Sequence, residues 1–266
     1  MKIVKTIRKC NNVIFVAKNS LDHKDKKKYR RPRSEKTTEQ QREINRRLAE
    51  KKLLELIQYN FGGGALHIVL SYSGQQPETP QAALKEVSLF LRRLRYHYKK
   101  YGQELKYIQT TERENKRLHH HIIINGIDEL PIQIIQDSIW KNGFARATPL
   151  ESDGFYRDLA NYLIKETEKT FNTVERVFGK RYTSSRNLRL PEPVEEITDG
   201  DENDLLEIPL NDMFDGDNYI LIKESEYTGI NPYTGQPYVE YAMIRASPPR
   251  KKSLRRRQHQ IKKADT

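Results

Sequence analysis

Hydrophobic and polar positions recur along this chain with two periods, and each change from one to the other marks an element. Residues 2–8 and 12–17 read as two strands, and Lys9-Cys-Asn-Asn12 between them supplies turn residues, so a hairpin is expected. Thr37 or Thr38, with Gln40 or Gln41 three residues on, has the form of a capping box. The helix it opens runs to about Gln58 with Leu48, Leu53, Leu54 and Ile57 as its apolar stripe, and Gly62-Gly-Gly64 ends it. Residues 65–72 are apolar enough for a central strand. Thr79-Pro80 opens a second helix with proline at its first position. Leu84, Val87, Leu91, Leu94 and Tyr98 share one face of it, and Arg92, Arg93, Arg95, Lys99 and Lys100 crowd elsewhere.

Two short runs rich in Ile, Thr and Tyr follow, at 107–112 and 118–124, and read as paired strands. Residues 131–140 predict a short helix ended by Gly143, and 144–148 an edge strand. Ser152 or Asp153 then starts a helix carrying Phe155, Leu159, Tyr162, Leu163 and Glu166. Residues 219–224 and 238–244 form a further hairpin around Asn231-Pro-Tyr-Thr-Gly235. No internal repeat is visible. The order of strands and helices predicts an α+β fold, a mainly antiparallel sheet with helices packed on one side. The expected divisions are an N-terminal hairpin, basic arm and helix (1–59), a central domain (60–190), an acidic linker (191–222), a C-terminal hairpin (223–249) and a basic tail (250–266).

The candidate chemistry lies in the central pair of strands. If Asn115-Lys116 closes a two-residue turn, Glu112 lies opposite His119 and Thr110 opposite His121. Side chains alternate faces along a strand, so His119 and His121 share one face and His120 points to the other. Opposed residues have Cβ atoms roughly 4.5–5.5 Å apart, which converges one carboxylate and two imidazoles on one point. Glu112, His119 and His121 are therefore candidate ligands of a divalent cation. Their mixed oxygen and nitrogen donors suit Mg²⁺ or Mn²⁺ with water and phosphate completing the shell. Structural zinc is disfavoured, because the chain has one Cys. A buried, hydrogen-bonded histidine pair is the competing reading.

Charge points to the partner. The chain of 266 residues carries a formal +12 with 36% hydrophobic and 32% charged residues. No Lys or Arg occurs between Arg189 and Lys223, where eleven Asp and Glu stand, so the remainder is more basic than the total by eleven charges. Such a field favours nucleic acid. The basic runs 24–33, 176–189 and 250–263 are expected to meet phosphates, the first as a mobile arm and the last as a tail. The acidic run 192–217 reads as a flexible boundary, or as a mimic of DNA lying over the basic groove. There is no apolar run near eighteen residues for a membrane span, and the first residues lack the apolar core of a signal peptide. The lone Cys10 fits a reducing cytoplasm.

The run Leu-His-His-His-Ile-Ile-Ile, with Glu112 before it and Tyr162-Leu-Ile-Lys165 after it, resembles the His-hydrophobic-His motif of the HUH endonucleases. Over roughly residues 60–190 the chain is similar to rolling-circle replication initiators of small phages and plasmids. The resemblance implies a ferredoxin-like domain with its metal on the exposed sheet face, Tyr162 as nucleophile, and Lys165 assisting it or binding the scissile phosphate. It implies nicking of single-stranded or hairpin origin DNA to a 5′-phosphotyrosyl enzyme and a free 3′-hydroxyl, with host DNA polymerase and helicase as partners. In the family the strand holding His67 borders the active site, so His67 is either a support for the ligands or a structural histidine. His120 fills a slot that is usually hydrophobic. Tyr156 precedes Tyr162 by six residues and falls on another helix face, so a single-tyrosine enzyme is expected. No Gly-x-x-x-x-Gly-Lys is present to indicate an attached helicase. Transposases and relaxases use the same site. A noncatalytic nucleic-acid binder, an RNA-processing metalloenzyme and a Tyr162 that merely packs in a core remain alternatives.

Overall fold

The structure, a computed structural model, describes residues 1–21, 39–114, 117–127, 132–151, 154–171, 181–231 and 234–246. The basic arm, the Thr37 or Thr38 cap, the Asn115-Lys116 turn, the Ser152 or Asp153 helix start, residues 172–180 and the basic tail lie outside these. The described chain builds two antiparallel sheets. Five strands, β3 (Leu66–Tyr72), β4 (Tyr107–Glu114), β5 (Arg117–Ile124), β6 (Gly143–Pro149) and β7 (Thr183–Ser184), stand in the order β6-β3-β5-β4-β7. β6 is thus the edge strand expected from its sequence.

Alternation along these strands assigns their faces. Leu66, Ile68, Leu70, Ile122 and Ile124 turn toward α2 (Pro80–Lys100), whose Val87, Phe90, Leu91, Leu94 and Tyr98 complete one core. Thr79 caps that helix, its hydroxyl accepting from the Ala82 amide at 3.2 Å, ahead of proline at the first turn. Ile108 and Ile123, of opposite parity, meet a second core formed with α1 (Glu39–Asn60) and α4 (Arg157–Phe171). The α+β class and antiparallel sheet are as expected, and helices lie against both faces. In α1, Leu53, Leu54, Leu56 and Ile57 are buried, while Leu48, expected in the stripe, is exposed. A short helix, α3 (Ile132–Ile134), continues as a π turn over Ile135–Ile139. α4 starts at Arg157, so Phe155 and Tyr156 precede it.

The second sheet joins both ends of the described chain. β1 (Lys2–Cys10) and β2 (Val13–Ser20) form the expected hairpin, with Asn11 in the left-handed region at φ 56°. The order is β8-β1-β2-β12-β10-β9, with β11 also on β12; these are β8 (Val194–Asp199), β9 (Asn211–Phe214), β10 (Asp217–Leu221), β11 (Tyr227–Ile230) and β12 (Pro237–Arg245). The C-terminal hairpin is therefore β11–β12, with β10 pairing farther along β12. The acidic run forms β8, the helix α5 (Glu202–Leu206), β9 and the start of β10, which corrects its reading as a flexible linker. Its carboxylates have a use there: Lys5 reaches Asp212 and Lys9 reaches Asp215, each at 2.8 Å. The run is thus the electrostatic complement of β1. Among the described residues no helix is long and apolar enough to cross a membrane.

Candidate active site

The register of β4 and β5 sets the site. Glu112 stands opposite His119 and Thr110 opposite His121, as the two-residue turn requires, and the ladder closes at Glu114 opposite Arg117. His121 Nε2 lies 2.8 Å from Glu112 Oε1, and His119 Nδ1 lies 3.9 Å from the same oxygen. β3 continues both rows, with Ser71 beside His119 and Val69 beside His121.

Glu112 is 3% exposed, and its Oε2 has no hydrogen-bond partner among the described residues. Burial by itself would raise its pKa. The hydrogen bond from His121 and that residue's charge, then the Tyr162 hydroxyl and His119, outweigh it, so the carboxyl is held below its ordinary range. His67 supplies a support that its sequence leaves ambiguous. Its Nε2 lies 3.1 Å from His121 Nδ1 and the rings stack at 5.3 Å between centroids. Burial, reinforced by His121 and partly offset by Glu112, pushes the His67 pKa down to about 4. A carboxylate, His121 and His67 thus form one chain of contacts, each holding the next in orientation.

His120 points away, as its parity demands. It is fully buried on the α2 face, with Nδ1 2.8 Å from Thr111 Oγ1 and Nε2 2.9 Å from the Tyr72 hydroxyl. Trp140 meets its ring edge-on. The polar slot is therefore satisfied from both sides, and burial pushes the imidazole pKa down to about 3.

α4 brings Tyr162 to the cluster. Its hydroxyl donates to Glu112 Oε1 at 3.3 Å, and its ring lies edge-on to His121 at 5.3 Å. The residue is 40% exposed, which is not the burial of a core tyrosine. Tyr156 is that core residue: it is buried and its hydroxyl donates to the Glu151 carbonyl at 2.5 Å. Lys165, one turn beyond Tyr162, is exposed and makes no hydrogen bond or ion pair among the described residues. The structure therefore gathers Glu112, His119, His121, His67 and Tyr162, and leaves Lys165 at the margin.

The donors suit a small divalent cation. A buried carboxylate oxygen without a partner is costly unless something positive meets it. The 2.8 Å between Oε1 and Nε2 is close to the spacing of adjacent ligands around an octahedral ion with bonds of about 2.0–2.1 Å. The set is not drawn tight: among the described residues no group of three His, Cys, Asp or Glu already surrounds a single point, and His119 is the ligand with distance to close. What the arrangement offers chemically is a phenol beside a carboxylate and two imidazoles on a partly open face.

No curated protein and no solved structure matches the chain. Residues 65–171, the segment that holds Glu112, His119, His121, Tyr162 and Lys165, match the family model of the ORF2-type replication-associated protein, and this part of the chain is similar to proteins of DNA replication.

Proposed function

We propose that the chain initiates replication by nicking a single DNA strand through Tyr162. The observation that carries this reading is the Tyr162 phenol hydrogen-bonded to Glu112 beside His121. Glu112, His119 and His121 would hold Mg²⁺ or Mn²⁺, which when bound neutralises charge on phosphate oxygens. Tyr162 Oη attacks phosphorus, a P–Oη bond forms, and the bond from phosphorus to the 3′ oxygen breaks. The phenol proton is lost toward Glu112 or water, and the leaving oxygen takes one up as a 3′-hydroxyl. The enzyme keeps the 5′-phosphate, and the reverse attack by a 3′-hydroxyl rejoins the strand without ATP. Lys165 is suited to approach the same phosphate from the open side, having no other partner among the described residues.

The basic charge of the chain and its similarity to replication-associated proteins support DNA as the substrate. The test is mass spectrometry of full-length protein incubated with Mn²⁺ and single-stranded oligonucleotides of candidate origin hairpins. A peptide containing Tyr162 with a 5′-nucleotide attached is the expected product. Cleavage without any protein adduct, or an adduct on another residue, would contradict the reading.

A further inference from the structure

Directly opposed residues of an antiparallel sheet share a face. Phe144, Ser71, His119 and Glu112 form one such row across β6, β3, β5 and β4. The next row on that face is Arg146, Val69, His121 and Thr110. Ala145, between Phe144 and Arg146, faces the α2 core instead. Phe144 is 71% exposed, on the same face as the histidines and at the sheet edge. Its strand is well fixed: a Cβ on Gly143 would collide with the Ser71 carbonyl oxygen, so the two backbones approach closely just before it. Arg146 is exposed and has no hydrogen bond or ion pair among the described residues. Arg117, of the same parity as His119, and Lys165 on α4 are exposed too. An aromatic ring with no packing role therefore stands among unpaired cations, beside the site.

We infer that Phe144 and Arg146 form a subsite for single-stranded DNA, the Phe144 ring stacking on a base and Arg146 pairing with a backbone phosphate. Every base offers a π face, so such a platform holds a strand with little regard to sequence. The inference rests on the proposal that the histidine cluster acts on a DNA strand. Phe144 and His119 are two strand spacings apart, about 10 Å. At a rise of roughly 3.4 Å per stacked nucleotide, the stacked base lies within about three nucleotides of the phosphate at Tyr162.

Fluorescence anisotropy of a labelled single-stranded oligonucleotide, with full-length protein in EDTA so that no cleavage intervenes, tests this. Phe144→Ala should bind on the order of 10- to 100-fold more weakly with an unchanged salt slope, and Phe144→Trp should restore affinity. Arg146→Ala should weaken binding and lower the salt slope by about 0.7, the value for one phosphate of a single strand. Placing an abasic site at each oligonucleotide position in turn should cost the wild type affinity at one position, where Phe144→Ala shows no further loss. Equal binding by wild type and Phe144→Ala, as expected if the patch meets a protein instead, would overturn the subsite. So would tighter binding of the matching RNA strand. Loss of the abasic signature with nicking intact removes the subsite alone. An intact signature without any nicking keeps the subsite and removes the nuclease reading.

Discussion

The hydroxyl of Tyr162 and the carboxylate of Glu112 are hydrogen-bonded at 3.3 Å, joining helix α4 to strand β4 across fifty residues of chain. Tyr162→Phe removes that oxygen and leaves the ring edge-on to His121. Strand cleavage and the covalent adduct should fall together by about 10³-fold or more. Tyr156→Phe loses a buried hydrogen bond to Glu151 and about 1 kcal/mol of stability, yet should keep both activities. A denaturing gel of labelled strands reads both variants, and an adduct surviving in Tyr162→Phe would sink the assignment.

Metal binding can be measured without turnover. Mn²⁺ should raise the melting temperature of the wild type, with a stabilisation of about 2.7 kcal/mol at a hundred times Kd. Glu112→Gln and His121→Ala should abolish that shift. His67→Ala, which leaves every proposed ligand in place but frees the His121 ring, should weaken Mn²⁺ by about 10- to 100-fold. Calorimetry showing the same affinity for all four proteins would dispose of the site.

His120→Ala should behave differently from its neighbours. It empties a fully buried position and strips partners from Thr111 and Tyr72, at a cost of about 2–4 kcal/mol. Mn²⁺ affinity, measured where the variant is still folded, should not change. A loss of metal with no loss of stability would mean the strand faces are reversed.

Glu240 provides a prediction remote from the site. Arg47 and Lys51 of α1 each reach its carboxylate at 2.7 Å, and Arg47 also stacks on Tyr227. Burial alone would raise the Glu240 pKa; Lys51 and then Arg47 outweigh it, and the net direction is downward. A depressed carboxyl pKa stabilises the fold above the unfolded value, about 4.3, and that contribution fades as pH falls through the folded value. Glu240→Gln should therefore cost about 1–3 kcal/mol at pH 7 and flatten the acid limb of the stability curve. Parallel wild-type and variant curves from pH 7 down to acid would refute the linkage.

The hairpin was legible because a short turn and a two-residue period fix its register without help from the rest of the chain; Glu112, His119 and His121 follow from that alone. The contact of His67 with His121 depends instead on how β3 meets β5, and no local turn sets that pairing. The same applies to the second sheet. β2 finds β12, and β1 finds β8, across long stretches of chain, so local pattern left the acidic run without a partner. Its role becomes visible only once Lys5 and Lys9 lie beside it. Leu48 had the right spacing for the stripe of α1, but the cores it would have met lie nearer the end of that helix.

The segment that matches replication-associated proteins sits between β2 and β12, which are neighbours in one sheet. During synthesis the β1–β2 hairpin therefore waits with its Val13–Asn19 edge unpaired until Tyr238 and its successors leave the ribosome. At usual elongation rates that interval is on the order of 10–40 s. Val13, Ile14, Phe15 and Val16 make this waiting edge apolar, the kind that recruits wrong strands. The yield of folded protein in a cell is accordingly set by the last strand to be made, far from the chemistry it makes possible.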